Sequence, residues 1–152
     1  WQKNCDWKNE KILKDAMNRK KGVILIGGHL GIMDLSGAKL GMSGYPAGLV
    51  GKKISHPVFN KLALDSRRAM NCATINYKDS VIRILRGIKR GEAIAMALDQ
   101  NMKPRYGMFL DWMGRPALSV KAPAMIVRRT GAAVIAGYCY QKGIDRFEMV
   151  VT

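Results

Sequence analysis

The stretch Val23-Ile24-Leu25-Ile26-Gly27-Gly28-His29-Leu30-Gly31-Ile32-Met33-Asp34-Leu35 decides how this chain is read. Four consecutive apolar residues, three of them β-branched, read as a short buried strand, and the Gly27-Gly28 pair lets the backbone turn sharply where that strand ends. His29 therefore stands at a strand mouth. Within one helix, the five-residue spacing would set His29 and Asp34 about 140° apart, at ~100° per residue, and the side chains could not meet. If His29 sits in the turn and the helix begins just after it, Asp34 falls in the early turns and its carboxylate can reach back towards the imidazole. That arrangement is an oriented base at the carboxyl edge of a sheet, where open α/β folds usually keep their sites.

Upstream, Asp6 is placed to cap a helix whose apolar positions Ile12, Leu13, Ala16 and Met17 recur at helical spacing and which ends near Gly22. Downstream come a short helix over residues 31–41, a second strand over 47–52, and a helix opened by Pro57 and carrying Val58, Leu62 and Leu64. A third strand over 73–77 follows. Asp79 or Ser80 then caps a helix with Val81, Ile82, Leu85 and Ile88 on one face and Arg83, Arg86, Lys89 and Arg90 on the other. Ala93 to Leu98 is an apolar run suited to a central strand buried on both faces, and it ends at Asp99-Gln100. Gly107 to Leu110 reads as a strand, Asp111 to Pro116 as a turn into a helix over 119–129, and 132–140 and 146–151 as two last strands. Strands alternating with helices predict an α/β fold in one domain over residues 1–152, with a largely parallel central sheet flanked by helices and closing in an antiparallel hairpin.

Composition narrows the function. With 48% hydrophobic residues in 152, the chain has enough apolar content for a core and is not disordered by composition. Lys and Arg number 26 against 11 Asp and Glu, a net charge of +15, so an anionic partner is expected: lipid headgroups, nucleic acid or an acidic carrier protein. The cations run from Lys3 to Arg146 rather than gathering in a tail, and aromatics are only 7%, which argues against the rival reading of a non-catalytic nucleic-acid-binding module. Cys5, Cys72 and Cys139 are far apart and read as reduced thiols, and two histidines give a metal site little to draw on. No G-x-S-x-G or P-loop spacing is present. The opening on Trp1 and the close just after a strand-like run are read as marks of a fragment of a longer protein. Its longest apolar run, 132–140, is shorter than the ~18 to 20 residues that cross a bilayer.

A second carboxylate, Asp99, also follows an apolar strand directly. Strand ends carrying a His and an Asp often share one crevice in such a sheet, so either Asp34 or Asp99 can be the acid that orients His29. Gly28-His29-Leu30-Gly31 with Asp34, then Asp99-Gln100, Gly107-Met108-Phe109, Gly114-Arg115-Pro116-Ala117 and Arg129-Thr130-Gly131-Ala132, in this order, resemble the bacterial lipid A biosynthesis (late) acyltransferases. These belong to the wider glycerolipid acyltransferase group marked by H-x4-D/E. The resemblance spans residues 21–140 and departs at Ile32, Met33 and Asp34, where the late acyltransferases usually carry Asn, Trp and Glu.

What the resemblance implies is transfer of an acyl chain from an acyl thioester, on acyl carrier protein or coenzyme A, to a lipid hydroxyl at the cytoplasmic face of the inner membrane. A glycerol-phosphate or lysophospholipid acceptor is the alternative within the group. No cofactor beyond the thioester co-substrate is implied. The partners implied are the lipid acceptor, the carrier protein and the anionic membrane surface, with no nucleic acid. The family also implies an N-terminal membrane helix outside this piece. By the same resemblance His29, Asp34 and Asp99 are the catalytic candidates, and Gly31, Arg67 or Arg68, Gln100, Gly114, Arg115 and Pro116 are the substrate-binding candidates. The arginines would hold phosphate. The basic helix over 80–90 and the Arg115 loop are expected to meet the leaflet.

Overall fold

A computed structural model describes residues 2–77 and 80–152. In chain order the elements are β1 (Cys5–Lys8), α1 (Glu10–Asn18), β2 (Val23–Gly27), α2 (Met33–Met42), β3 (Ala47–Gly51), α3 (Pro57–Ala69), β4 (Cys72–Asn76) and α4 (Ser80–Lys89). They continue with β5 (Ala93–Ala97), β6 (Gly107–Trp112), β7 (Arg115–Val120), α5 (Ala122–Thr130), β8 (Ala133–Gln141) and β9 (Phe147–Val151). Seven strands form one sheet in the order β1-β9-β8-β2-β5-β3-β4, and β6 and β7 form a separate antiparallel pair. From β8 through β4 every neighbouring pair is parallel, and β9 turns back antiparallel on β8. The α/β class with a mostly parallel sheet flanked by helices is thus the architecture observed.

The apolar run of β2 is explained by burial on both faces. Val23 and Leu25 join a cluster with Leu13, Leu40, Leu49, Ile135 and Met149 on the side of α1 and α2. Ile24 faces the other side, among Ile84, Ile88, Ile94 and Ile126, under α4 and α5. Val23, Ile24 and Ile94 are wholly inaccessible to solvent, so the strand that aims His29 is held by packing on two sides. Among the described residues no helix is long and apolar enough to cross a membrane.

Three local expectations are corrected. Asp6 does not cap a helix. Cys5 to Lys8 alternate buried and exposed and form an edge strand paired with β9, and α1 starts only after Asn9, whose φ of 63° makes the break. Residues 115–120 are not the approach to a helix but β7. Met113 and Gly114 both have positive φ and form a two-residue turn whose twist suits a hairpin. Pro116, which made this stretch read as a turn, faces Asp111 one step from the closing pair Trp112–Arg115. Antiparallel pairs alternate between bonded and non-bonded, so the missing proline N–H falls where no ladder bond is required. On α4 the buried apolar side chains are those of Ile84 and Ile88, with Leu85 partly covered, whereas Val81 and Ile82 are exposed. The proposed cap at Asp79 or Ser80 lies outside the described residues and side chains.

Candidate active site

The sheet order brings two strand ends together. β2 and β5 are neighbours with Gly27 opposite Ala97, and the Leu98 N–H donates to the Gly27 carbonyl at 2.9 Å, so the residues that follow each strand emerge side by side. Asp99 closes on His29 with both oxygens. Its Oδ2 accepts the His29 backbone N–H at 2.6 Å, and its Oδ1 lies 2.8 Å from His29 Nδ1. An ionised carboxylate only accepts, so Nδ1 carries the proton of this bond, and in the neutral ring Nε2 presents its lone pair. The Gln100 amide nitrogen stands 3.4 Å from that Nε2. The imidazole is 44% exposed and can be reached by a substrate.

Partial burial pushes the Asp99 carboxyl up, but the hydrogen bonds from the His29 N–H and ring outweigh it and hold the pKa below the usual carboxylate value. A depressed carboxylate means that the folded state binds fewer protons than the unfolded one. The stability Asp99 contributes is therefore fully present above the unfolded pKa near 3.9 and is lost as pH falls through the folded value. Denaturant unfolding of wild type and Asp99→Asn across pH should show a gap that narrows as pH falls below about 4.

Glycines set the turn. A Cβ on Gly28 would sit 3.1 Å from Asp99 Oδ2 and press on the acid that holds the histidine. Gly31 has φ of 72°, and a Cβ there would lie 2.1 Å from the Cys139 carbonyl oxygen, the same atom that accepts the Ile32 N–H at 2.9 Å. The His29 turn is thereby tied to β8. Gly31→Ala combines a left-handed backbone with a main-chain collision and is expected to cost upwards of roughly 2 kcal/mol in denaturant unfolding.

Asp34 lies in the first turn of α2, as its spacing from His29 suggests, but its carboxylate does not serve the imidazole. Its Oδ1 accepts from Arg67 Nε at 2.9 Å and from Nη2 at 2.6 Å. The physical reason is competition. A permanently charged guanidinium reaches over from α3, while Nδ1 of His29 is already taken by Asp99. The choice between Arg67 and Arg68 is also decided for this contact, since Arg68 is exposed and has no ion-pair partner among the described residues. Gly114, Arg115 and Pro116 lie at the tip of the β6–β7 hairpin, where Asp111 Oδ1 accepts the Gly114 N–H at 2.8 Å and Arg115 is exposed. Sequence reasoning misses two features, the contact of Gln100 with Nε2 and the closeness of Asp99 that leaves little room for a Cβ at Gly28. The signal that could have found them is adjacency in the chain to His29 and Asp99, the two residues that meet.

The thiols do not compete for the chemistry. Cys5, Cys72 and Cys139 are free and buried, and desolvation pushes Cys72 up to about 11 and Cys139 up to about 12, so both stay protonated at neutral pH.

Fold and site together define a class: an α/β chain presenting a carboxylate-oriented histidine at the carboxyl edge of a parallel sheet, fitted to take a proton from a hydroxyl or water. The sequence profile of the family described as bacterial lipid A biosynthesis acyltransferase matches residues 1–152, and the chain belongs to that family. It is 24% identical over 124 residues to a lipid A biosynthesis lauroyltransferase of Escherichia coli (strain K12), a match covering 81% of this chain and 40% of that protein. The match thus covers two-fifths of that relative's length.

Proposed function

We propose that this chain carries the centre of an acyltransferase that moves a fatty acyl chain from a thioester on acyl carrier protein to a hydroxyl of a lipid A precursor. The work is done at the cytoplasmic face of the bacterial inner membrane. The observation that carries this reading is the His29–Asp99 pair, which in the neutral ring leaves Nε2 to act as a base. Nε2 takes the proton of the acceptor hydroxyl as its oxygen attacks the thioester carbonyl, and Asp99 stabilises the imidazolium that forms. The tetrahedral intermediate collapses, the carbon–sulfur bond breaks, and the imidazolium returns the proton to the departing sulfur. Ester and thiol are the products, and neither a covalent enzyme intermediate nor a further cofactor is required.

The other candidates take supporting parts. Asp34 holds Arg67 by Nε and Nη2, which leaves guanidinium N–H groups to meet a phosphate on the acceptor. Arg115 is a second phosphate contact, and Gln100 donates to the oxygen that displaces it from Nε2. The net charge of +15 suits a carrier protein, a phosphorylated lipid and a leaflet that are all anionic. The test is an assay with a radiolabelled acyl carrier protein thioester offered to a lipid A precursor and, separately, to a lysophospholipid and to glycerol phosphate. Label is expected in the lipid A precursor as an alkali-labile ester. Label confined to the glycerol-based acceptors would replace the acceptor in this reading, and no transfer to any of them would remove the reading itself.

A further inference from the structure

The apolar surface of this chain is distributed unevenly. At the edge opposite His29, the connections over residues 20–22, 43–46, 70–71, 90–92 and 131–132 expose no large apolar side chain. At the His29 edge, among the described residues, Leu30 is 69% exposed, Phe59 at the start of α3 61%, and Ile144 in the β8–β9 turn 98%. The β6–β7 hairpin, which follows β5 at this edge, adds Phe109 at 68%, Trp112 at 56% and Met113 at 91%.

The hairpin itself is unusual. Its strands pair with each other over six residue pairs, and no other element packs on them to a comparable extent. Its base is tied down by the Met102 N–H to the Leu118 carbonyl at 3.0 Å and the Lys121 N–H to the Tyr106 carbonyl at 3.4 Å. A two-stranded hairpin is marginally stable in water without a face to bury. Here Met108, Leu110 and Trp112 point to one side and Phe109, opposite Leu118, to the other. The charges around this apolar wedge are mostly positive: Lys103, Arg105, Arg115 and Lys121 are exposed, against one exposed carboxylate, Asp111, whose Oδ1 accepts the Gly114 N–H.

We infer that the β6–β7 hairpin is a membrane wedge, whose tip, Trp112-Met113, enters the interfacial region of an anionic leaflet while Lys103, Arg105, Arg115 and Lys121 meet the headgroups. An amphipathic aromatic and a flexible thioether suit the boundary between headgroup and acyl chain, and cations beside them suit anionic lipid. The wedge would hold the His29 edge at the depth where a lipid hydroxyl stands, and to that extent it rests on the lipid-acceptor reading above. It also moves the contact away from α4. Arg83 and Arg90 of that segment are bound to Glu92 at 2.9 and 2.7 Å, and α4 runs towards the opposite edge. The leaflet, rather than a second copy of the chain, is favoured by the cationic rim, which would repel its own kind.

The test uses vesicles of phosphatidylethanolamine with phosphatidylglycerol, brominated or plain, against vesicles of phosphatidylcholine. In the wild type, brominated anionic vesicles should quench a tryptophan component that is missing from Trp112→Phe. Trp112→Ser combined with Met113→Asp should lower partitioning by at least about tenfold, and turnover of an acceptor presented in vesicles should fall with it. Turnover of a short-chain acceptor dispersed in water should stay at the wild-type level. Partitioning unchanged in the double variant, or a Trp112 component already blue-shifted and shielded from a soluble quencher without lipid, would overturn the wedge. Partitioning that falls as stated, with no transfer to any acceptor, would leave the wedge standing and remove the acyl-transfer reading instead.

Discussion

His29→Ala is expected to lower acyl transfer by roughly 100- to 10,000-fold, the usual worth of a positioned general base, while leaving the fold in place. The imidazole is partly exposed at a strand mouth and fills no core position, so circular dichroism should change little and unfolding should lose only the ring's hydrogen bond to Asp99, about 1 kcal/mol. His56, the other histidine, supplies the control. It stands at the start of α3 with its ring 4.9 Å from Phe59, and His56→Ala should keep near-normal turnover. A His29→Ala protein that turns over like wild type would take His29 out of the chemistry.

Asp99→Asn is expected to produce a loss of similar size, on the order of 100- to 10,000-fold. The carboxylate faces two N–H donors, one from the backbone and one from the ring. A carboxamide has one oxygen for both. Either its NH2 meets the backbone N–H and the turn opens, or it meets the ring and forces the proton onto Nε2, which is then no base. Asp34→Asn should act differently. It loosens Arg67, so Asp34→Asn and Arg67→Gln should share a phenotype, raise the acceptor KM, and combine with less than additive effect. An additive pair, or an Asp34→Asn enzyme whose KM is unchanged while its rate constant collapses, would contradict the division of work between the two carboxylates.

Much of the site is written locally in the sequence, and what is not depends on the order of the sheet. The strand over 23–27, the glycine turn that aims His29, Pro57 at the first helical position of α3 and the apolar run before Asp99 each have a short-range signature, and the structure has each of them there. The pairing of His29 with one acid rather than another does not. It follows from β2 lying beside β5, and no local pattern around residue 29 says which strand seventy residues on will be its neighbour. The Asp34–Arg67 pair is of the same kind, joining the first turn of α2 to the last turns of α3. The local misreadings have local causes. The four residues of β1 are too few to outweigh the helical period that starts at Glu10, and Pro116 marks a turn in most contexts but here sits at a non-bonded step of a hairpin. On α4, counting Val81 and Ile82 with the core ignored Ile84, whose spacing of four to Ile88 marks the true inner face.

Asp99, and not Asp34, is the carboxylate bonded to the His29 ring, and the proposed base needs an Nε2 without its proton. With only two histidines in the chain, a nitrogen–proton correlation spectrum of protein labelled in histidine resolves both rings, and His56→Ala assigns them. In its neutral form the His29 ring should show a proton on Nδ1 and a bare Nε2, and that pattern should be lost in Asp99→Asn and kept in Asp34→Asn. A His29 ring protonated on Nε2, or one that responds to Asp34→Asn and ignores Asp99→Asn, would contradict it.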